Sequence, residues 1–262
     1  MTDRWRRHSD TTTPFVRRRR GSWTLAAIFV AVALGAWHLG SNVFGVKHEL
    51  ERAHALAGVL KTQATAFDLA GADATLDEIT KHTRRAVELS DDPIWSIAQV
   101  LPVLGQNLSA VRQISVATDD AMTDVAAPLL EVATTIGPAG LAPKDGVVDL
   151  HPLVDAGPAV TKADASVKRI SSYVSRIDTD GAIDQVAKAK TQLTGLLGEV
   201  SPIAGTLNAV VPLLPPALGS EAPRKYLVMF QNNAELRPLG GAALSFAVLN
   251  VDGGRIQFEE TI

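Results

Sequence analysis

The chain has no cysteine among its 262 residues, which excludes a disulfide framework, a thiolate nucleophile and any zinc site built on cysteine. Aromatic residues are scarce too, 5% of the total against 46% hydrophobic. An interior of alanine and aliphatic side chains suits closely packed helices and is a poor match to a β-sandwich, whose strands favour aromatic and β-branched residues. No G-x-S-x-G, G-x-x-x-x-G-K or G-x-G-x-x-G fingerprint occurs, so serine hydrolysis and nucleotide binding have no motif to stand on. Of the six histidines, His8 lies in the N-terminal basic tail and His38 in the apolar run, and His48, His54, His82 and His151 show neither an i, i+4 pair nor a carboxylate arrangement typical of zinc sites. Glu78 and His82 are four apart on a polar helix face, a spacing that reads as a solvated pair. No metal and no cofactor is assigned.

Charge is unevenly spread. Residues 1–20 carry seven arginines against Asp3 and Asp10, a net +5 in a chain whose total is −3. Arg17 to Arg20 lead directly into an uncharged apolar run from Trp23 to Phe44. At 1.5 Å per residue such a helix reaches about 33 Å, enough for a hydrocarbon core of roughly 30 Å. The run is longer than a cleaved signal's apolar core, and Trp37-His38-Leu39-Gly40 stands where small residues would mark cleavage, so it reads as an uncleaved anchor. Arginines flanking a first span stay on the cytoplasmic side. The expected layout is a cytoplasmic basic tail (1–20), a transmembrane signal-anchor (21–45), an extracytoplasmic helical bundle or stalk (46–218) and the start of a strand-rich module (219–262). The basic tail is explained by topology and anionic lipid, without nucleic acid.

Heptad spacing organises the middle of the chain. Val46, Leu50, Ala53, Ala57, Leu60, Ala64 and Phe67 alternate at four and three residues, the seam of a helix packed along its length. Gly71 is expected to break this pattern and Asp73 to cap a second helix with Leu76, Ile79, Thr83 and Ala86 on its seam, the two forming a hairpin. A third tract starts at Ile94-Trp95, is interrupted at Leu101-Pro102, and resumes at Gly105 with a face from Leu104 to Ile136, kinked at Pro128. Gly137–Gly146 reads as a loop. Leu153, Ala156, Val160, Ala163, Val167, Ile170, Val174 and Ile177 form an unbroken series, with Pro158 expected in the first turn of its helix. The last helix is predicted over 183–200, with Lys190 as its polar intruder. Between Leu193 and Leu218 only Glu199 is charged, but Pro202, Pro212, Pro215 and Pro216 argue against a second lipid-exposed span. The fold class is therefore mainly α, an antiparallel bundle followed by a small β or α/β module.

That module has strand-like runs at 225–231 and 243–251, then a hairpin signal at Asp252-Gly253-Gly254 and a returning strand at 255–259. Between the first two lies the one dense polar cluster of the chain: Gln231, Asn232, Asn233, Glu235 and Arg237, with Gly240 and Gly241. Arg237 and backbone amides could face an anion there, the glycines allowing close approach. The same residues also fit a purely structural loop, the asparagines bonding the turn backbone and Glu235 pairing with Arg237, and residue habit favours this second reading.

The run Lys225-Tyr226-Leu227-Val228-Met229-Phe230-Gln231-Asn232-Asn233-Ala234-Glu235-Leu236-Arg237, the Gly240-Gly241 pair and Asp252-Gly253-Gly254-Arg255 resemble the bacterial domain-of-unknown-function family four-zero-one-two. Trp95 with Leu101–Gly105, and Leu213-Leu214-Pro215 before Leu218-Gly219, also look like that family, extending the resemblance over most of the chain beyond Val46. Pro238-Leu239-Gly240-Gly241-Ala242 stands where members commonly continue through Thr-Gly-Gly-Phe. The resemblance implies a single-span envelope protein, found especially among actinobacteria, with no established activity and no catalytic residues to carry over. It also implies a longer protein, since members run past this motif, so the three-stranded sheet is expected to be unfinished. Two functions follow as expectations. One is a non-enzymatic scaffold or binding module for an envelope polysaccharide or another envelope protein; the other is a phosphotransferase acting on lipid-linked envelope polymers, by analogy of architecture alone.

Overall fold

A computed structural model describes residues 20–102, 104–137, 141–232 and 242–259. Helix α1 runs unbroken over Arg20–Thr65, so the predicted boundary at residue 45 is no break in the helix. Most of its described apolar side chains before Ser41 are exposed, Phe29 at 75% and Trp37 at 80%, as on a lipid-facing helix. From Asn42 on, the same helix begins to bury residues: Asn42, Val46 and Ala53 are buried, whereas Phe67 beyond its end is exposed. The predicted seam is thus occupied at its first half and fades towards Ala64.

Among the described residues, two helical stretches are long and apolar enough to cross a membrane by length and composition, Phe29–Thr65 and Asp184–Ala217. The second was read from sequence as a bundle helix.

Helix α2 spans Leu69–Ser90 and is antiparallel to the outer half of α1, with Gly45 against Leu89 and Glu49 against His82. Its cap is Asp68, not Asp73: the Asp68 carboxylate accepts from the Gly71 amide at 3.0 Å. Gly71 does not break the helix. It clears space for the cap, because a Cβ there would lie 2.2 Å from the Asp68 carboxylate. All four predicted seam residues of α2 are buried. Helix α3 (Pro93–Ala98) starts on an Asp92 cap, with Pro93 where its missing donor is harmless. Trp95 is fully buried and donates its indole N–H to the Leu108 carbonyl at 3.0 Å, pinning α3 to α4 (Leu104–Ala121).

The kink expected at Pro128 takes a specific form. A π-helical turn, Met122–Ala126, separates α4 from α5 (Ala127–Ile136), and the Ala127 amide reaches back to the Met122 carbonyl. Widening one turn accommodates the backbone that proline cannot bond. Helix α6 (His151–Ser175) buries seven of the eight predicted seam residues within its length, and Ile177 just beyond is buried too. Pro152 holds the first turn; Pro158 lies in the helix interior, contrary to expectation.

Helix α7 covers Asp184–Val210, ten residues past the predicted end, and passes through Pro202 before a 3₁₀ turn (Val211–Leu213) and α8 (Leu214–Ala217). Its Val186, Leu193, Leu197 and Ala204 join Ile114, Val125, Val167 and Ile170 in the main core. Lys190 is put to use: its ammonium donates to the Ile177 carbonyl at 2.6 Å, closing the C-terminal end of α6. Deeper along the pair, Asn208 donates to the Asp164 carboxylate at 2.9 Å and accepts from Thr161 at 2.9 Å, while Lys168 donates to Asp164 at 2.8 Å. The Lys168 hydrogen bond and charge, helped by Asn208, hold the Asp164 carboxyl below the ordinary aspartate range.

The chain closes with an antiparallel sheet, β1 (Arg224–Asn232), β2 (Ala242–Asp252) and β3 (Arg255–Glu259), in that spatial order.

Val167 is fully buried at the centre of the α6 seam, and Ala165 two residues earlier is exposed. Val167→Asp places an unpaired carboxylate in the core and should lower stability by roughly 3 kcal/mol or more, whereas Ala165→Glu should shift it by about half a kcal/mol or less. Thermal melts of the two variants check this register. Equal losses would refute it.

Candidate functional site

Among the described residues, the strands that frame the predicted polar loop bond the helical part of the chain at one end, around the β2–β3 turn. Gly254 sits at φ 82°, and a Cβ there would meet the Val148 carbonyl at 2.1 Å, so the β2–β3 turn needs glycine both for its backbone and for its contact. Around it, the Val148 amide donates to the Gly254 carbonyl at 2.9 Å, and the Ile256 amide to the Gly146 carbonyl at 3.1 Å. The Gly253 and Gly254 amides donate to the Gly219 and Leu218 carbonyls at 3.0 and 2.8 Å. The Tyr226 hydroxyl donates to the Ala217 carbonyl at 2.6 Å, adding a tie at the end of α8.

Arg224 pairs with Val251 beside this docked end, and Asn232 pairs with Ala242 at the other end of the ladder. Eight residues of strand separate the two pairs, roughly 26 Å at 3.3 Å per residue. Before the far end, the register slips: Phe230 faces Ser245 but Gln231 faces Ala243, leaving Leu244 as the extra residue of a bulge. A bulge bends its strand and increases local twist, which re-aims whatever follows. Gln231 and Asn232 are therefore the last residues of β1, just past the irregularity. Asn233, Glu235, Arg237, Gly240 and Gly241 lie outside the described residues, so the structure neither assembles nor disperses that part of the predicted site.

Sequence reading missed what the strands themselves present. Directly opposed residues share a face in an antiparallel sheet. One face therefore carries Leu227 with Val248 and Met229 with Phe246; the other carries Tyr226 with Leu249 and Phe258, and Val228 with Ala247. Leu227 is 66%, Met229 56% and Phe258 69% exposed. The signal was present in the composition: 225–231 has no strict polar-apolar alternation, the mark of a strand apolar on both sides. On the Leu227 face, Lys225 donates to Glu259 at 3.3 Å and Asn250 donates to the same carboxylate oxygen at 3.2 Å, a polar bridge across all three strands.

Other charged groups serve the helices. His82 bonds Glu49 of α1 at 2.5 Å and lies 3.9 Å from Glu78, so the expected solvated pair is secondary to a contact between helices. Arg169 reaches Asp120 and Asp124 at 3.0 and 2.8 Å, and Lys162 adds to Asp124 at 3.0 Å. Among the described residues, no group of three or more histidines and carboxylates is placed to hold a metal ion.

A mainly helical chain with a small antiparallel sheet, apolar on both faces, is the class that this geometry defines. Residues 221–262, which contain all three strands, match the model of a family described as a protein of unknown function, DUF4012. The resemblance seen in the Gln-Asn-Asn-Ala-Glu-Leu-Arg segment is thus shown over the sheet, and the match does not reach the helices to which it also seemed to extend. No curated protein and no solved structure matches the chain.

The hydrogen bond from Asn250, then that from Lys225 and its charge, hold the Glu259 carboxyl below its ordinary value of 4.5. A carboxyl with a depressed folded-state pKa stabilises the fold above its unfolded value and ceases to do so as pH falls through the folded one. Hydrogen exchange of the β3 amides should accordingly quicken, relative to the α6 amides, as pH drops from about 5 to about 3 after correction for intrinsic rates. Glu259→Gln should flatten that dependence. An unchanged dependence would show that the bridge does not hold the strand.

Proposed function

We propose that the protein is a membrane-anchored cell-envelope module, held by a single N-terminal span with residues 1–20 in the cytoplasm, which presents its sheet outside the membrane to an envelope protein or polysaccharide. One observation carries the binding role: a nine-residue strand, β1, at the edge of the sheet with exposed apolar side chains on both faces. Contiguous apolar surface of this kind marks an interaction site, and an open strand edge offers backbone donors and acceptors for pairing. The β3 side is partly covered, since Val147 bridges to Arg255 there. The Gln231–Gly241 loop adds its amides and Arg237 next to this surface in sequence.

The anchoring role rests on α1. Its exposed apolar side chains from Phe29 onwards follow the arginine block in the chain, and that charge asymmetry supports an inward N-terminus. Helix α7 passes the same length and hydropathy test, but Asn208 and Lys190 on it bond α6 and its seam is buried in the core, which favours a place in the bundle. The phosphotransferase reading has no support beyond Arg237.

Topology is tested on the full chain in spheroplasts. External protease should remove the bulk and leave a short protected N-terminal piece; full protection would overturn the orientation, and a released form lacking residues 1–40 would overturn the anchor. The binding role is tested by a photo-crosslinking amino acid placed at Met229 in the same membranes, with exposed Lys188 as the control position. A discrete adduct of higher mass is expected from Met229 alone. Equal adducts from both positions, or none from Met229, Leu227 and Phe246, would count against a binding sheet.

A further inference from the structure

Beneath the outer half of α1 runs an apolar groove of about 190 Å³, lined by α1, α2, α4, the π turn, α5 and α7. Ala53 and Ala57 of α1 form its roof, with Ile114, Leu129, Leu193 and Leu197 beneath. Small side chains on the roof account for the space: alanine at seam positions does not reach the leucines opposite, and the apolar lining offers water few hydrogen-bond partners. Only His54, Thr118 and Gln192 bring polar atoms to the lining, and the Thr118 hydroxyl already donates to the Ile114 carbonyl at 2.7 Å. A cavity of that character stays dry and takes apolar guests.

The roof is held at two polar points. Glu49 bonds His82 of α2 at 2.5 Å on one side, and Lys61 bonds Glu199 of α7 at 2.7 Å on the other. Between these clasps α1 brings Leu50 to one end of the groove and only the small side chains of Ala53 and Ala57 to the rest of its roof. Phe44, 75% exposed, lies six residues before Leu50 at the groove's near end, about 9 Å along the same helix. The apolar surface that suits a bilayer and the apolar groove are thus consecutive on α1.

We propose that this groove holds the acyl chain of a membrane lipid, drawn from the bilayer that α1 enters. Size selects the guest. A cavity of about 150 Å³ accepts a benzene-sized molecule, so this one admits a stretch of single hydrocarbon chain and is too narrow for a helix about 10 Å across. Charge agrees, because the groove offers no cation for a phosphate and the headgroup stays at the interface. The inference rests on the membrane anchoring proposed above.

The probe is a phosphatidylcholine with a diazirine near the end of one acyl chain, doped into vesicles of phosphatidylethanolamine and phosphatidylglycerol that carry the full chain. After illumination and digestion, adducts are expected on residues 114–129 and 189–200 as well as on the apolar run at 23–44. Ala189→Leu should remove the groove adducts, keep those at 23–44 and leave the melting temperature equal or higher, since it fills a void. Should that variant fail to fold, Leu196→Phe at the half-exposed rim reads the same loss. Adducts confined to 23–44, or groove adducts indifferent to filling, overturn the lipid site while leaving the anchor intact. Absence of adducts at 23–44 overturns the anchor together with the site. A protein-protein adduct from a crosslinker at Leu196 would assign the groove to a partner chain and also overturn the proposal.

Discussion

The bundle depends on one stripe of side chains, the seam of α6. Leu153, Ala156, Val160, Ala163, Val167, Ile170, Val174 and Ile177 are all buried, and four other elements meet on that stripe. α4 and α7 pack on its second half through Ile114, Ala117, Leu193 and Leu197, and α5 with the 3₁₀ turn packs on its first half through Val132 and Val211. Each fully buried large aliphatic side chain contributes about 1.5–3 kcal/mol, so a polar substitution in either half of the stripe loosens every element packed on that half. The charged residues between the seam positions, Lys162, Lys168 and Arg169, are left to pair with carboxylates at the rim.

Alanine within the seams has two consequences that pull in opposite directions. Ala156 and Ala163 on α6 are buried and let neighbouring helices approach closely. Ala53 and Ala57 on α1 face leucines across a gap instead, because α1 is fixed by the Glu49–His82 and Lys61–Glu199 bonds at its margins. The Lys61–Glu199 pair is exposed and contributes little stability, about 0–1 kcal/mol, and the Glu49–His82 contact is the more buried of the two. They nonetheless fix where a weakly packed helix lies, and that position leaves the groove open. The same helix therefore meets its surroundings in different ways along its length: exposed apolar side chains from Phe29 to Phe44, and a loosely filled seam from Val46 onwards.

Periodicity carried most of the helical part into view, because burial on a helix follows a period that side-chain type records directly. The seams of α2 and α6, the interruption at Pro102 and the Asp252-Gly253-Gly254 turn were all legible. What escaped were backbone solutions to local conflicts. Gly71 reads as a breaker, yet it is the residue that lets Asp68 cap α2. Pro128 announces a disturbance but not its form, since a π turn leaves no trace in residue spacing until the neighbouring helix is in place. Pro158 and Pro202 both sit inside helices, where tertiary packing outweighs one lost hydrogen bond. The bulge opposite Phe230 likewise lacks a glycine to signal it. Of the predicted site, only Gln231 and Asn232 fall within the described residues, at the end of β1.

Strand signals located the sheet correctly while concealing its character. A sheet with one wet face shows alternation; β1 instead places Leu227 and Met229 on one side and Tyr226, Val228 and Phe230 on the other. Three strands have little stability of their own, and this sheet gains its hold on the helices through backbone bonds at Gly254, Val148 and Leu218 rather than through a buried face. Attachment at a turn fixes position and orientation while burying few apolar side chains, Val251 and Val148 among them. Among the described residues both faces and the β1 edge therefore carry exposed apolar side chains, the feature on which the proposed binding role rests.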